Sequence, residues 1–465
     1  MNRISRRLFL RAVAASGLAY SFARKPQITY AQMTGGGSFA DYKALVCIFL
    51  FGGNDSWNMF VPSSNAEYAE YASSRQNLAV PQGALLPLQL AVPDASGWSF
   101  GLHPAMPGLM ELFNAERAAI VANVGPLVAP TTLEQYQSAS VPLPPQLFSH
   151  NDQQDQWHSL KGTQVSKSGW AGRIADVMAS QVTNQKLALN VSLAGQTLYQ
   201  AGATSVPYTM GPAGPTPFLG LGSTGDALDL RLAFESVANA NVDTMYERAF
   251  ATVQQRALEF GERVSTELGG ALDLPSLPDN PPTALSGLAT QLRTVAKLIA
   301  VRNELEMSRQ IFFVAMGGFD THDSQNADQP GLLSTVSDAL KRFDDAMQHL
   351  GISESVVAFT QSDFGRTLTS NGDGTDHAWG GVQVVTGGAI AGGRIYGEYP
   401  LLRLGARVAS GDRADDVGAG RFIPTISSDQ YASTLARWLG ISEEDLPVVA
   451  RSIDNFPVSD LGFLV

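Results

Sequence analysis

Residues 43–51, KALVCIFLF, form an apolar run that ends on Gly52-Gly53-Asn54-Asp55. A strand with one wet face alternates apolar and polar residues; a run without alternation is buried on both faces, as in a parallel sheet between helical layers. Residues 118–124, 311–316, 356–360 and 382–386 have the same character. Helical patterns lie between them, notably at 104–115 and at 332–350, where Gly351 is the stop signal. Strands alternating with helices imply right-handed crossovers. The expected fold is therefore α/β, a doubly wound, mostly parallel sheet with helices on both faces.

Working outward to the amino terminus, Ser5-Arg6-Arg7-Leu8-Phe9-Leu10-Arg11 precedes a mildly apolar stretch at 12–22. A charged start followed by an apolar segment too short to span a bilayer is the pattern of an export signal, and the paired arginines address it to the twin-arginine translocase. Small residues ending at Ala31 suit cleavage, with Ala23 a second position, so residues 1–31 read as a signal peptide, cleaved or kept as an anchor. The expected location is periplasmic or secreted. No later stretch is long and apolar enough for a stable transmembrane segment.

Of the 31 basic residues, six fall in positions 1–31 and no acidic residue does, so 25 basic face 43 acidic residues and the net charge is −18 rather than −12. That balance argues against nucleic acid as a partner. The single cysteine, Cys47, sits in an apolar run and reads as a buried, inert thiol. The 434 residues after position 31 exceed what one simple core holds, and long amphipathic helices such as 242–267, with a proline-rich break at 272–282, suggest a helical insertion over about 226–309.

In open α/β sheets ligands bind at the carboxyl ends of the strands. There the chain carries Asp55 after the first run, Asp320 and His322 in GGFDTHDSQ (317–325), Asp363 and Arg366 in DFGRT (363–367), and Asp376 and His377 in GTDHAWGG (374–381). Asp320 and His322 are two apart, so on extended chain they point the same way and suit one metal ion. One such Asp alone is a cap or turn former, but recurrence at successive strand ends points to a shared site. Carboxylate with imidazole suits zinc, manganese, iron, magnesium or calcium alike. Ser149 and His150 are neighbours whose side chains point apart on extended chain, which argues against a triad made from that pair. His150 reads as a metal or substrate ligand or as a structural residue. His103 before Pro104 reads as a helix cap or an anion contact. His158 and His349, inside helical patterns, read as solvated.

The ordered series VCIFLFGGNDSWNMFVP (46–62), His103-Pro104-Ala105, Ser149-His150 with Gln154 and Trp157, the three motifs above and GGRIYG (392–397) resembles the DUF1501 family, from about residue 43 onward. That family is placed with alkaline phosphatases and sulfatases. The resemblance implies a two-metal hydrolase of phosphate or sulfate esters, with Asp55, Asp320, His322, Asp363, Asp376 and His377 as metal ligands. Ser149 would be the nucleophile; Arg366, read from its chemistry alone, either neutralises charge on an ester or pairs with an acid. Superfamily enzymes carry Asp-His-Gly where this chain has Asp363-Phe364-Gly365, so one imidazole of the implied pair of sites is missing. A small-molecule or polysaccharide ester is the implied substrate. A non-catalytic metalloprotein binding an anion or polysaccharide, or a surface-assembly protein, meets the same sequence requirements.

Overall fold

The apolar run is β1 (Lys43–Leu50), and its side chains divide by parity. Ala44, Val46, Ile48 and Leu50 enter one hydrophobic core, and Leu45, Cys47 and Phe49 enter another on the opposite face. Successive strand side chains point to opposite faces, so a strand between two cores must be apolar throughout. The computed structural model describes residues 39–182, 188–215, 221, 223–238, 245–270, 272–405 and 415–465. The expected signal at 1–31 lies outside them.

Three short strands, β2 (Phe60–Pro62), β3 (Leu86–Pro87) and β4 (Phe100–Leu102), make a small antiparallel sheet in the order β2-β4-β3. The large sheet contains β1, β5 (Ala118–Gly125), β6 (Asn190–Ser192), β7 (Tyr208–Thr209), β8 (Arg309–Met316), β9 (Val356–Ser362), β10 (Gly381–Gly387), β11 (Ile395–Tyr396) and β12 (Ile426–Ser427). Its order is β11-β5-β10-β9-β1-β8-β6-β7, with β12 also on β5. The sheet is mostly parallel, as the sequence implies; among the described residues only β10 runs against its neighbours β5 and β9. Residues 363–380 join β9 to β10 with no crossover helix, and a parallel pair would need one. That connection therefore leaves and returns at the same end of the sheet.

The longer helices are α1 (Asn65–Arg75), α2 (Pro107–Asn114), α3 (His150–Ser159), α4 (Trp170–Met178), α5 (Gly225–Ala238), α6 (Met245–Leu268), α7 (Gly287–Ala300), α8 (Gln325–His349) and α9 (Ser428–Leu439). Leu109 of α2, Leu292 and Val295 of α7, and Val336 and Leu340 of α8 pack into the core beneath one face. Trp157 of α3, Trp170 and Ile174 of α4, and Tyr431 and Leu435 of α9 cover the other. Helix α8 begins seven residues before the expected 332. Its first two turns are polar and contain Pro330, a breaker signal, yet Gln325 and Gln329 there are buried and hydrogen-bonded. No helix among the described residues is long and apolar enough to cross a membrane.

Register places the functional segments side by side. Leu50 pairs with Met316 of β8 and with Ser362 of β9, so the chain leaves three adjacent parallel strands at one level. Gly52 (φ 115°) and Gly53 (φ 82°) turn away there, and added Cβ atoms would stand 2.4 Å from the Asp320 nitrogen and 2.3 Å from the Phe364 ring. Glycine is what lets the first exit lie against the other two.

Candidate metal centre

Asp320 follows β8, and its carboxylate oxygen Oδ1 is the focus of the site. His150 Nε2 lies 3.4 Å from it, His322 Nε2 3.1 Å and His377 Nε2 3.4 Å. The Nε2 atoms of His322 and His377 are themselves 2.8 Å apart. Ligand atoms arranged tetrahedrally around an ion with bonds of about 2.0–2.1 Å stand about 3.3 Å from one another. His150, Asp320 and His377 offer donor atoms close enough together to hold one ion, and His322 stands beside Asp320 and His377.

Each imidazole is turned by a partner on its other nitrogen. His150 Nδ1 is 2.6 Å from Asp363 Oδ2, His322 Nδ1 is 3.2 Å from Asp376 Oδ1, and His377 Nδ1 is 2.7 Å from the Phe148 carbonyl oxygen. All three partners only accept, so Nδ1 carries the proton and the Nε2 lone pairs face the common centre. Two lone pairs 2.8 Å apart repel unless a proton or a cation lies between them. Metal-bound histidines show this arrangement, with an acceptor behind each ring.

The local folding that delivers these rings can be followed residue by residue. His150 opens α3, and Gln154 and Trp157 follow at four and seven positions, on one helix face. Gln154 Nε2 donates to Asp363 Oδ2 at 3.0 Å beside His150, while Trp157 is in the core. The β9–β10 connection folds back on itself: Gly365 and Trp379 pair through their backbones, as do Thr367 and Asp376, so Arg366 stands opposite His377. The Phe364 ring is buried, with centroids 4.8 Å from His150 and 4.6 Å from His377. The chain thus has an apolar floor where the resemblance implies an imidazole, and an imidazole from α3 stands on it.

Burial pulls the Asp320 carboxyl upward, but the Arg366 guanidinium, with His150 and His322, outweighs it and holds Asp320 below the usual carboxylate value. Its bond to Asp363 raises the His150 pKa, making that ring a more basic donor. Burial lowers that of His377.

Several expected roles change. Asp55 does not join the cluster: its carboxylate is fully buried, ion-paired with Arg75, and accepts from Trp57 N at 3.2 Å, as a helix cap, and from Gln325 Nε2 at 2.5 Å. Asp363 and Asp376 lie behind histidine rings rather than facing the centre. Arg366 takes the second of its two readings, pairing with an acid: it is buried and spends its donors on Asp320 Oδ1, Gly52 O, Thr375 Oγ1 and Thr375 O, leaving little for an ester oxyanion. Ser149 precedes α3, and its Oγ donates to Asp152 Oδ2 at 2.7 Å. His103 Nδ1 accepts from Ala105 N at 3.1 Å, a local turn. His349 is exposed as expected, whereas His158 is buried among Phe49, Tyr199 and Phe313. His150 is the cluster member that strand-end reasoning left open, because a helix rather than a strand brings it.

A mixed α/β sheet protein with His150, Asp320 and His377 gathered beyond its strand ends, and His322 beside them, is the class that fold and site define. The family model described as "Protein of unknown function (DUF1501)" matches residues 42–445, and the chain belongs to that family. No curated protein matches. Among solved structures, Ps i-CgsB in complex with k-i-k-neocarrahexaose is similar at 8% identity over 87% of this chain and 74% of that one, with a TM-score of 0.36. The lipoteichoic acid synthase LtaP from Listeria monocytogenes is similar at 8% identity over 90% and 76%, with a TM-score of 0.33. The PsFucS1 sulfatase from Pseudoalteromonas sp. is similar at 9% identity over 95% and 73%, also at 0.33.

Proposed function

We propose that the chain is an exported, metal-dependent hydrolase of phosphate or sulfate esters, and that His150, Asp320, His322 and His377 hold its cation. The observation that carries the reading is the convergence of three Nε2 lone pairs on Asp320 Oδ1, each ring fixed by an acceptor on Nδ1. Three imidazoles with one carboxylate favour zinc, manganese or iron over magnesium or calcium, which prefer oxygen. A divalent ion bound there would supply Lewis-acid polarisation of an ester oxygen. Asp363, Asp376 and the Phe148 carbonyl keep the rings oriented, and Arg366 keeps Asp320 ionised. Asp152 is placed to accept the Ser149 proton, one residue before His150.

The ester class is supported by the ordered motifs of the DUF1501 family and by that family's placement with alkaline phosphatases and sulfatases. Export is supported by Arg6 and Arg7, and folding around a metal before transport suits the twin-arginine translocase as partner. Metal analysis of the purified protein, with hydrolysis of chromogenic phosphate and sulfate esters, tests the reading. Asp320→Ala and His322→Ala should each lose the metal and about a hundredfold or more in kcat, a larger loss than Ser149→Ala. If those two variants stay folded, lose the metal and hydrolyse esters as fast as the parent, the hydrolase reading is wrong. Metal binding without hydrolysis of either ester would leave a non-catalytic metalloprotein.

A further inference from the structure

Four residues of the quoted motifs, Arg366, Thr375, Gln325 and Asp55, are linked behind the site. Arg366 Nη1 donates to Asp320 Oδ1 at 3.0 Å, the oxygen on which the imidazoles converge. Arg366 Nε donates to Thr375 Oγ1 at 2.9 Å, and Thr375 Oγ1 donates to Gln325 Oε1 at 2.7 Å. Gln325 Nε2 donates to Asp55 Oδ2 at 2.5 Å, and Asp55 is ion-paired with Arg75. Every residue from Arg366 to Arg75 is buried.

The direction of this chain is forced. A guanidinium only donates and a carboxylate only accepts, so with Arg366 at one end and Asp55 at the other each intervening group has one usable orientation. Bonds aligned head to tail in a low-dielectric interior reinforce one another. Arg75 closes the far end: its Nε donates to Asn58 Oδ1 at 2.9 Å and its Nη1 to the Thr367 carbonyl at 2.9 Å, so its own position is fixed on three sides. The near end meets the most exposed of the four side chains, Asp320, at 47%.

We propose that Thr375, Gln325, Asp55 and Arg75 are positioning residues, a single buried hydrogen-bond chain that holds Arg366 against Asp320 and so fixes the carboxylate oxygen the three histidines share. The proposal rests on the metal-centre reading. A half-exposed carboxylate held in one rotamer before the cation arrives loses less freedom on binding, and removing partners behind a ligand weakens metal affinity by about 10–100-fold.

The test deletes one hydroxyl in the middle of the chain. Thr375→Val keeps the side-chain shape and removes Oγ1; Thr375→Ser keeps Oγ1 and removes a methyl group. Cobalt(II) titration of the full chain, followed by its visible spectrum and by competition with a chelator, reads the site without needing an activity. The Val variant should bind cobalt about 10–100-fold more weakly with an altered spectrum, and the Ser variant should restore both. A folded Val variant that binds cobalt as tightly as the parent, or more tightly, overturns the proposal. Should Thr375→Val fail to fold, Gln325→Met breaks the next link and is held to the same expectation. A folded parent that takes up no cobalt overturns the metal-centre reading itself.

Discussion

His158 lies in a cage of Phe49, Tyr199 and Phe313, and its Nε2 is buried without a hydrogen-bond partner. Burial pushes its pKa down from 6.5 to about 3. Between those values the unfolded chain binds the proton and the folded chain does not, so stability falls as pH drops from 6.5 toward 3, by about 1.4 kcal/mol per pH unit. Asp429 has the opposite sign: burial raises it from 3.8 to about 7, and the folded chain holds its proton longer, so its contribution declines as pH rises through that window. The two slopes oppose each other in the parent. The difference between His158→Phe and the parent isolates the histidine, and denaturant unfolding across pH 4–7 should show the variant gaining stability toward acid. A constant difference across that range would contradict the assignment. The sequence reading of His158 as solvated missed this because the cage is assembled from β1, β8 and the chain near residue 199, none of which is near it in sequence.

The turn leaving β1 has a conformational demand that a side chain cannot meet. Gly53 has φ 82°, and a Cβ there would meet the Phe364 ring that supports His150 and His377. Gly53→Ala should cost about 1–2 kcal/mol in backbone strain and displace that floor. Thermal unfolding should show a lower midpoint, and cobalt titration weaker binding; unchanged affinity would mean that Phe364 does not set the positions of the rings. At this scale the strand-end elements were legible, because two-sided burial leaves apolar runs and glycine marks their exits. The direction of β10 was not, since it follows from a connection without a crossover helix. The role of Asp55 was also hidden: its neutralising partner Arg75 comes from the far end of α1, and no periodicity links residues 20 positions apart in that way. Asp320, His322 and His377 were readable from their motifs, while His150 depended on how α3 docks against β9.

Over the whole molecule, the proposed function is that of a protein that folds around a cation and is then exported by the route that Arg6 and Arg7 address. Replacing Arg6 and Arg7 together by lysine should leave folded, metal-loaded protein in the cytoplasm, read by fractionation and immunoblot. Mature protein outside the cytoplasm from that variant would refute dependence on the twin-arginine route, without touching the metal site.

Elemental analysis of the purified full chain tests the central claim most directly. The account predicts zinc, manganese or iron retained through dialysis in the parent and lost from a folded His377→Ala variant. A folded parent that holds no such metal, and takes up none when zinc, manganese and iron are offered in turn, would contradict it.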